Sequence, residues 1–327
     1  MIPITDLSWQ RHSWQSLVSS AIRTTDGLAD ALGVELEQVE TDFPINVPLP
    51  YLARIERGNP QDPLLLQVMT SVDELQQSGT TSPLQEEAFK LGFGLIQKYA
   101  GRVLVITTGS CAIHCRYCFR RHFPYEDNQP STEDWSELFR RIEQDQSLSE
   151  VILSGGDPLM LNDRRLAWIG ENLARIQHIT TLRLHTRMPI VIPQRVTSTL
   201  LEWMTLSSLN IVMVTHVNHG NEIDPEVKSA MNRLKRAGVT LLNQSVLLKD
   251  INDNAEALAT LSHKLMDSGV LPYYLHLMDP VLGASHFDVD EATGVKLIST
   301  LRECLPGYLV PRLSREVPFE SSKRVIA

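Results

Sequence analysis

From residue 102 onward, the chain alternates between short apolar runs and longer segments whose apolar residues recur every three or four positions. Short apolar runs are typical of buried strands, and the longer spacing predicts amphipathic helices. The predicted strands are Val103–Thr107, Val151–Leu153, Thr181–His185, Asn210–Thr215, Thr240–Ser245 and Tyr273–Leu277. The predicted helices are Thr132–Gln144, Asp163–Ile176, Ser198–Leu206, Pro225–Ala237, Asn254–Ser268 and Asp290–Leu305. The alternation predicts an α/β fold built on a parallel sheet of about six βα units.

Such a set of units fits either an open, partial (β/α)6 barrel or a doubly wound open sheet, and the pattern alone leaves both interpretations open. In both folds, the residues used in chemistry lie where the strands end. The unusual residues of this chain fall there, since a cysteine-rich loop follows the first strand and Ser154–Asp157 follow the second. Thr186 and Arg187 follow the third strand, and His216 and Asp279 follow the fourth and sixth.

Residues 1–100 have a different pattern, in which helical segments are separated by Pro-rich stretches. The helices predicted there are Ser13–Arg23, Leu28–Leu32 and Leu84–Tyr99. We interpret this region as a mainly helical extension that caps the fold or joins copies of the chain into a homo-oligomer. Residues 101–305 then form the barrel or sheet, and residues 306–327 form a C-terminal segment.

The composition is that of a soluble globular protein, with 43% hydrophobic and 21% charged residues among 327. A net charge of −9 predicts no general attraction to nucleic acid or to anionic membranes. The first residues lack the features of a signal peptide, and no apolar run approaches the roughly 20 residues that span a bilayer. We therefore expect a cytoplasmic protein without membrane association. The four cysteines form no disulfide framework, and Cys304 is predicted to be a buried small apolar residue.

The other three cysteines, Cys111, Cys115 and Cys118, form a C-x3-C-x2-C loop. Three thiolates can hold a 4Fe-4S cluster and leave the fourth iron free to bind a small molecule. The alternative is a structural zinc site, for which His114 or His122 would supply the fourth ligand.

Two glycines follow the second predicted strand, in Ser154-Gly155-Gly156-Asp157. Glycines let a backbone approach a ligand closely. The cysteine spacing resembles that of the radical S-adenosylmethionine (SAM) family, whose open iron binds SAM and whose glycine-rich segment here contacts the SAM amino group. The resemblance implies that Ser154, Gly155, Gly156 and Asp157 bind SAM. The aromatic Tyr117 before Cys118 and the glycine pair after the second strand favour the cluster over zinc.

From about Pro48 to Lys323, the chain also resembles the lysine 2,3-aminomutases, and among them the short branch that makes β-lysine for modification of elongation factor P. The matching stretches are Cys111–Arg121, Leu153–Leu159, Thr186–Thr197, Thr215–Ile223, Asn243–Asp253 and Asp279–Phe287. The resemblance implies a partial (β/α)6 radical SAM barrel that uses the cluster, SAM and pyridoxal 5′-phosphate (PLP). It also implies conversion of α-lysine into β-lysine, an electron donor, and a functional link to elongation factor P.

The same resemblance implies a PLP site. Lys323 matches the lysine that forms the internal Schiff base, and Lys98, Tyr99 and Arg187 match the groups that bind the phosphate. Lysine stands at position 98 where an arginine is common, and it lacks the bidentate fork of a guanidinium. The segment Pro318–Ser322 stands where the family has a run of glycines.

Three residues match the groups that bind the substrate in this family. Arg120 matches the arginine for the α-carboxylate, and its planar fork suits that task. Asp279 and Glu316 match the two acids that bind the ε-ammonium, although the family has aspartate at the second position. Two carboxylates in a dry site favour lysine over substrates with uncharged or acidic side chains. By position, we assign His216 and Gln244 to the SAM pocket.

Two other interpretations stay open at this point. An aminomutase acting on another amino acid, such as glutamate, would share the cofactors. A non-catalytic zinc-binding protein would share only the cysteine loop.

Overall fold

A computed structural model describes residues 7–327, and in it ten strands form one sheet in the order of the chain. The strands are β1 (Lys90–Gly92), β2 (Leu95–Ile96), β3 (Arg102–Thr108), β4 (Glu150–Gly155), β5 (Thr181–Thr186), β6 (Asn210–His216), β7 (Thr240–Val246), β8 (Leu271–His276), β9 (Arg312–Arg315) and β10 (Arg324–Val325). Strands β3 to β9 pair in parallel, whereas β1, β2 and β10 add antiparallel pairs at the two edges.

Helices lie between the parallel strands and before the sheet. The α-helices among the described residues are α1 (Trp14–Ser19), α2 (Thr25–Leu32), α3 (Leu49–Leu52), α4 (Thr132–Gln144), α5 (Asp163–Ala174), α6 (Met188–Val191), α7 (Ser198–Leu206), α8 (Pro225–Arg236), α9 (Ala255–Asp267) and α10 (Glu291–Cys304). Helix α4 shows the common pattern, since Ser131 caps its first turn and Trp135, Leu138 and Ile142 form its buried face. No helix within residues 7–327 is both long and apolar enough to cross a membrane.

The sheet curls so far that its two edges share side-chain contacts. Lys98 follows β2 and Glu316 follows β9, yet Lys98 Nζ lies 2.8 Å from Glu316 Oε1. In a flat sheet these two strands would be separated by roughly 34 Å, seven spacings of about 4.8 Å. The rings of Phe89 and Phe319 also meet across the same gap, with centroids 5.2 Å apart. The sheet is therefore a partial barrel whose carboxyl ends surround one central space.

The predicted strands and helices after residue 102 are all present, with ends within two residues of the prediction. The prediction of a helix at Leu84–Tyr99 is wrong, because this stretch forms a 3-10 helix, Glu86–Phe89, followed by β1 and β2. Gly94 has a φ of +64° there, in the left-handed region, and a side chain would collide with the Asn128 carbonyl. The helical period of the apolar residues is thus interrupted by a turn that needs glycine.

Two further details differ from expectation. Strand β9 extends the parallel set by one and was not predicted, because a short polar segment lacks the apolar run of a buried strand. The prediction that Cys304 is buried is wrong, since this residue ends α10 in an exposed position. Helix α10 buries Gly294, Ile298 and Leu301 instead.

Candidate active site

The cysteine loop follows β3 and is fastened by a buried group of charges. The Glu74 carboxylate, 1% exposed, accepts hydrogen bonds from Arg116 Nε at 2.8 Å and from Arg121 Nη2 at 2.7 Å. Arg116 is fully buried and also donates to the Phe43 carbonyl at 2.7 Å. Because Arg116 belongs to the loop and Arg121 follows it closely, these bonds hold the loop against the N-terminal extension.

The two histidines considered as zinc ligands contact backbone carbonyls instead. His114 Nδ1 lies 2.7 Å from the Pro44 carbonyl oxygen, and its ring stacks on Phe43. His122 Nε2 lies 3.1 Å from the Leu282 carbonyl oxygen. Both imidazoles therefore help to fix the loop to its surroundings.

The three thiols of the loop are half-buried and affect one another's ionisation. Burial, followed by the neighbouring Cys118, raises the pKa of Cys111 well above its usual value. Burial and then Cys115 raise the pKa of Cys118 to about 11. No three Cys, His, Asp or Glu side chains in residues 7–327 are arranged to hold a single metal ion. Three thiols on one loop are the donor set of a 4Fe-4S cluster with one open iron, whose positive charge would stabilise them as thiolates.

The glycine pair that ends β4 lies directly against the start of the cysteine loop. Gly155 has a φ of +125°, and a side chain there would lie 2.5 Å from the Thr108 carbonyl oxygen. A side chain on Gly156 would collide with the Ser110 carbonyl. Only glycine permits this close approach, so the pair and the loop form one backbone surface.

Asp157, next in the chain, joins the ends of β4 and β5. Its carboxylate accepts hydrogen bonds from the backbone N–H groups of Leu159, Arg187 and Met188 at 2.8–2.9 Å and from the Thr186 hydroxyl at 2.7 Å. Both carboxylate oxygens therefore have protein partners, and the side chain fixes the loop that carries Arg187.

Arg187 does not lie with Lys98 and Tyr99, with which it was expected to bind a phosphate. Its Nη1 donates to Cys115 Sγ at 2.7 Å, and its Nη2 donates to Glu222 Oε2 at 2.8 Å. The structure thus places this guanidinium beside the cysteine loop.

His216 and Gln244 lie side by side on β6 and β7, on the inner face of the sheet. Their Nε2 atoms are 2.7 Å apart, and the ring of His185 on β5 lies 6.4 Å from that of His216. Burial lowers the pKa of His216 to about 3, and burial also lowers the pKa of His185. The interior next to the cysteine loop is therefore lined by neutral, polar side chains, a composition suited to a polar ligand.

Lys323 extends into the same interior from the C-terminal segment. Its Nζ lies 3.3 Å from His276 Nε2 and 3.5 Å from Glu316 Oε2, and 5.0 Å above the Tyr274 ring centroid. Burial lowers the pKa of Lys323, against the opposing effect of Glu316 and Asp279. A lysine whose pKa is lowered in this way is suited to form a Schiff base.

Glu316, which contacts Lys323, also binds Lys98 and Tyr99. Its Oε1 accepts hydrogen bonds from Lys98 Nζ at 2.8 Å and from the Tyr99 hydroxyl. These donors are the ones expected to bind the PLP phosphate, so a phosphate and Glu316 would compete for them.

Asp279 lies close enough to Glu316, Lys323 and Lys98 for their charges to change its pKa. Burial, followed by the charge of Glu316, raises the pKa of Asp279 to about 7, while Lys323 and Lys98 oppose this rise. The two acids expected to bind the ε-ammonium are therefore electrostatically coupled near Lys323.

Arg120 is already paired with a carboxylate of the chain. Its Nε and Nη2 donate to the two oxygens of Glu86 at 2.9 and 2.6 Å, and its Nη1 donates to Ser154 Oγ at 3.0 Å. The pair lines a cavity of about 260 Å³ between the 3-10 helix and the residues that follow the cysteine loop. The bidentate geometry is the one that Arg120 would offer to a substrate carboxylate.

The segment before Lys323 takes a backbone conformation that glycine favours. Phe319 has a φ of +66°, in the left-handed region, and stands within the stretch where the resemblance leads one to expect glycines. Its ring is exposed at the surface and packs only partly, on Phe89.

Four residues at this site were not assigned from the sequence: Glu86, His185, Tyr274 and His276. A signal exists for three of them, because polar side chains at alternate positions of β5 and β8 indicate an inner face that is not filled by apolar residues. Glu86 has no such signal, since it lies in an irregular segment.

Comparison with known proteins agrees with this geometry. A sequence profile described as the radical SAM superfamily matches residues 105–261. The chain is 44% identical to the L-lysine 2,3-aminomutase of Escherichia coli, over 96% of this chain and 94% of that protein. It is 43% identical to that of Haemophilus influenzae, over 100% and 99% of the two chains, and 32% identical to that of Clostridium subterminale, over 98% and 79%.

The partial (β/α)6 barrel, the cysteine loop after its first parallel strand and the matched profile together define a radical SAM protein. Within that class, the chain belongs to the L-lysine 2,3-aminomutase family, which is a family of isomerases. Membership implies a 4Fe-4S cluster, SAM and PLP as cofactors.

Proposed function

We propose that this protein converts L-lysine into β-lysine by moving the amino group from C2 to C3. One observation supports this assignment most directly: Glu316 contacts Lys323, Lys98 and Tyr99, and Asp279 lies near enough to be affected by the charges of Glu316 and both lysines. The proposed covalent anchor, phosphate-binding donors and ammonium-binding acids would then act in one part of the interior.

Cys111, Cys115 and Cys118 would hold the cluster, and Gly155 and Gly156 would leave room beside it for the amino acid part of SAM. Cluster and SAM together supply a 5′-deoxyadenosyl radical that can remove a hydrogen atom from carbon. His216 and Gln244 offer hydrogen-bonding groups on the inner face for the rest of SAM. The surrounding barrel wall would limit the access of water to this interior.

PLP supplies a conjugated system that stabilises an unpaired electron during migration of the amino group. Lys323 would hold it covalently, and the lowering of its pKa by burial favours the neutral, nucleophilic amine more than in an exposed lysine. Lys98 and Tyr99 would bind the phosphate, the lysine as a point charge without a bidentate fork.

The substrate would be oriented by charge at both of its ends. Arg120 would bind the α-carboxylate in the fork that Glu86 now occupies. Asp279 and Glu316 would bind the ε-ammonium, and an acidic side chain at that place would be repelled. This is the reason to prefer lysine over glutamate as the substrate.

Four further assignments belong to the proposal, the first two from the resemblance and the last two from the pattern of the sequence. The first is a separate one-electron donor, and the second is a role in supplying β-lysine for elongation factor P. The third is association into a homo-oligomer through the N-terminal extension. The fourth is division of the chain into that extension, a barrel (residues 101–305) and a segment that carries the PLP lysine (residues 306–327). Contacts between β2, β9 and the barrel indicate that the three parts pack as one unit.

The test is an anaerobic assay of protein reconstituted with iron, sulfide and PLP, supplied with SAM, dithionite and L-lysine. We expect β-lysine to appear, separated from α-lysine by chromatography, and no β-glutamate when L-glutamate replaces lysine. Asp279→Asn should lose turnover of lysine and keep cluster and PLP absorbance. Glu291→Gln, a change at an exposed acid of α10, is the matched control.

Two results would contradict the proposal. The first is the absence of β-lysine from protein with full cluster and PLP content. The second is one zinc atom per chain in place of iron and sulfide, which would restore the interpretation of a zinc-binding protein.

A further inference from the structure

Arg187 follows β5 and directs one nitrogen at a cysteine of the loop. Its Nη1 is in direct contact with Cys115 Sγ and donates to that sulfur. The residue is only 6% exposed, so water does not compete strongly for this nitrogen.

The other end of the guanidinium is held by two buried acceptors. Nη2 donates to Glu222 Oε2 at 2.8 Å and to Gln67 Oε1 at 2.7 Å. Glu222 is itself fixed, because its Oε1 accepts the backbone N–H groups of Asn218 at 2.8 Å and His219 at 3.1 Å. The acceptors therefore determine where Nη1 points.

Two aromatic rings complete the enclosure. The guanidinium carbon lies 5.4 Å from the ring centroid of Tyr51 and 5.7 Å from that of Tyr117, and both rings are buried. Tyr117 belongs to the cysteine loop, so the loop and Arg187 hold each other in place. An arginine enclosed in this way presents a fixed positive charge to Cys115.

A hydrogen bond and a positive charge at a ligand sulfur have a defined effect on an iron–sulfur cluster. Uptake of one electron makes the cluster one unit more negative, and both groups stabilise that reduced form. We propose that Arg187 is a positioning residue that raises the reduction potential of the cluster through its bond to the Cys115 sulfur. This inference rests on the cluster of the proposed function and departs from the expected phosphate-binding role of Arg187.

The test is a redox titration, monitored by electron paramagnetic resonance, of reconstituted wild type, Arg187→Lys and Arg187→Met without SAM or substrate. Electrons come from dithionite, and each cluster takes up one. We expect the reduction potential of the cluster in Arg187→Met to be about 59 mV lower than in the wild type. For a one-electron couple, this lowers the ratio of reduced to oxidised cluster about tenfold at the potential where the wild type is half reduced. Arg187→Lys, which keeps the charge but loses the fork, should shift less in the same direction.

The matched control is Arg195→Lys. Arg195 is also a fully buried arginine beside a carboxylate, Asp163, and it lies over the ring of Trp14 rather than beside a cysteine. Arg195→Lys should leave the reduction potential of the cluster unchanged. This result would show that a shift in the Arg187 variants does not come merely from losing a buried guanidinium.

An unchanged potential in Arg187 variants with full iron content would overturn the inference. Loss of PLP absorbance at unchanged potential would overturn it in favour of phosphate binding. Loss of iron from both variants would also overturn it, because Arg187 would then serve only to hold the loop. If Arg187→Met does not fold, Arg187→Lys decides the question. Formation of β-lysine by the wild type is measured separately, so failure of the proposed function is distinguishable.

Discussion

At the scale of single residues, the site depends on charges that are buried together. Glu316 has Lys98, Tyr99 and Lys323 as partners, and Asp279 shares the same surroundings. In such an environment a charged group is stable only near an opposite charge or a hydrogen-bonding partner, so each side chain influences the ionisation of the others.

Replacing Lys323 by alanine removes the only described lysine amine that contacts both His276 and Glu316. We expect Lys323→Ala to lose PLP absorbance completely and to keep the absorbance of the cluster, because no thiol is touched. Lys296→Ala, on the exposed face of α10, should retain both. Full PLP content in Lys323→Ala would refute the covalent role.

Asp279 should give lysine binding a dependence on pH. Its pKa is raised to about 7, above the usual value of a carboxyl group, so the charged form becomes dominant only as the pH rises through 7. Between pH 6 and 8, the dissociation constant of lysine, measured by calorimetry without SAM, should therefore fall by up to about tenfold. Asp279→Asn should bind weakly at every pH, and an unchanged slope in this variant would assign the titration to another group.

At the scale of elements, the 3-10 helix Glu86–Phe89 has an unexpected position. It places Glu86 in the fork of Arg120 and Phe89 against Phe319, so it contacts both the cysteine loop and the segment that carries Lys323. The sequence predicted an ordinary helix here, which would not have presented this carboxylate to the barrel.

Removing the Glu86 carboxylate should strengthen lysine binding if Arg120 binds the substrate carboxylate. Glu86→Gln leaves the fork without its charged partner, and we expect the dissociation constant of lysine to fall by about tenfold. The neighbouring Glu87→Gln removes an exposed acid that pairs with Lys90 and serves as control. Weaker binding in Glu86→Gln would show that Glu86 supports the site instead of competing for it.

At the scale of the whole molecule, the N-terminal extension and the barrel are joined at the cysteine loop. Glu74 of the extension lies between Arg116 of the loop and Arg121, which follows the loop, and all three side chains are buried. Breaking a buried ion pair leaves an uncompensated charge, which costs more than the pair itself contributes.

We therefore expect Glu74→Gln to lower the free energy of unfolding by about 3 kcal/mol, measured by urea denaturation of protein without cofactors. The same variant should lose iron faster in the presence of a chelator, because the loop is less firmly held. Glu137→Gln, at an exposed pair with Arg140, should change neither quantity measurably. Equal stability of the two variants would show that Glu74 does not fasten the loop.

The sequence by itself determined the order of the six predicted strands and six predicted helices between residues 102 and 305, because the apolar period is a local property. It also singled out the cysteine triad, Lys323, Asp279 and Glu316 as candidate site residues, because spacing and resemblance are read along the chain. It did not determine the partners of these groups.

Only the tertiary structure decided that Glu316 contacts Lys98, a residue 218 positions away, and that Arg187 lies at Cys115 rather than at Lys98. The reason is the curvature of the sheet, which brings its two edges together around one interior. Curvature is a cumulative result of twist and packing over all the strands, so no local pattern specifies which side chains meet inside.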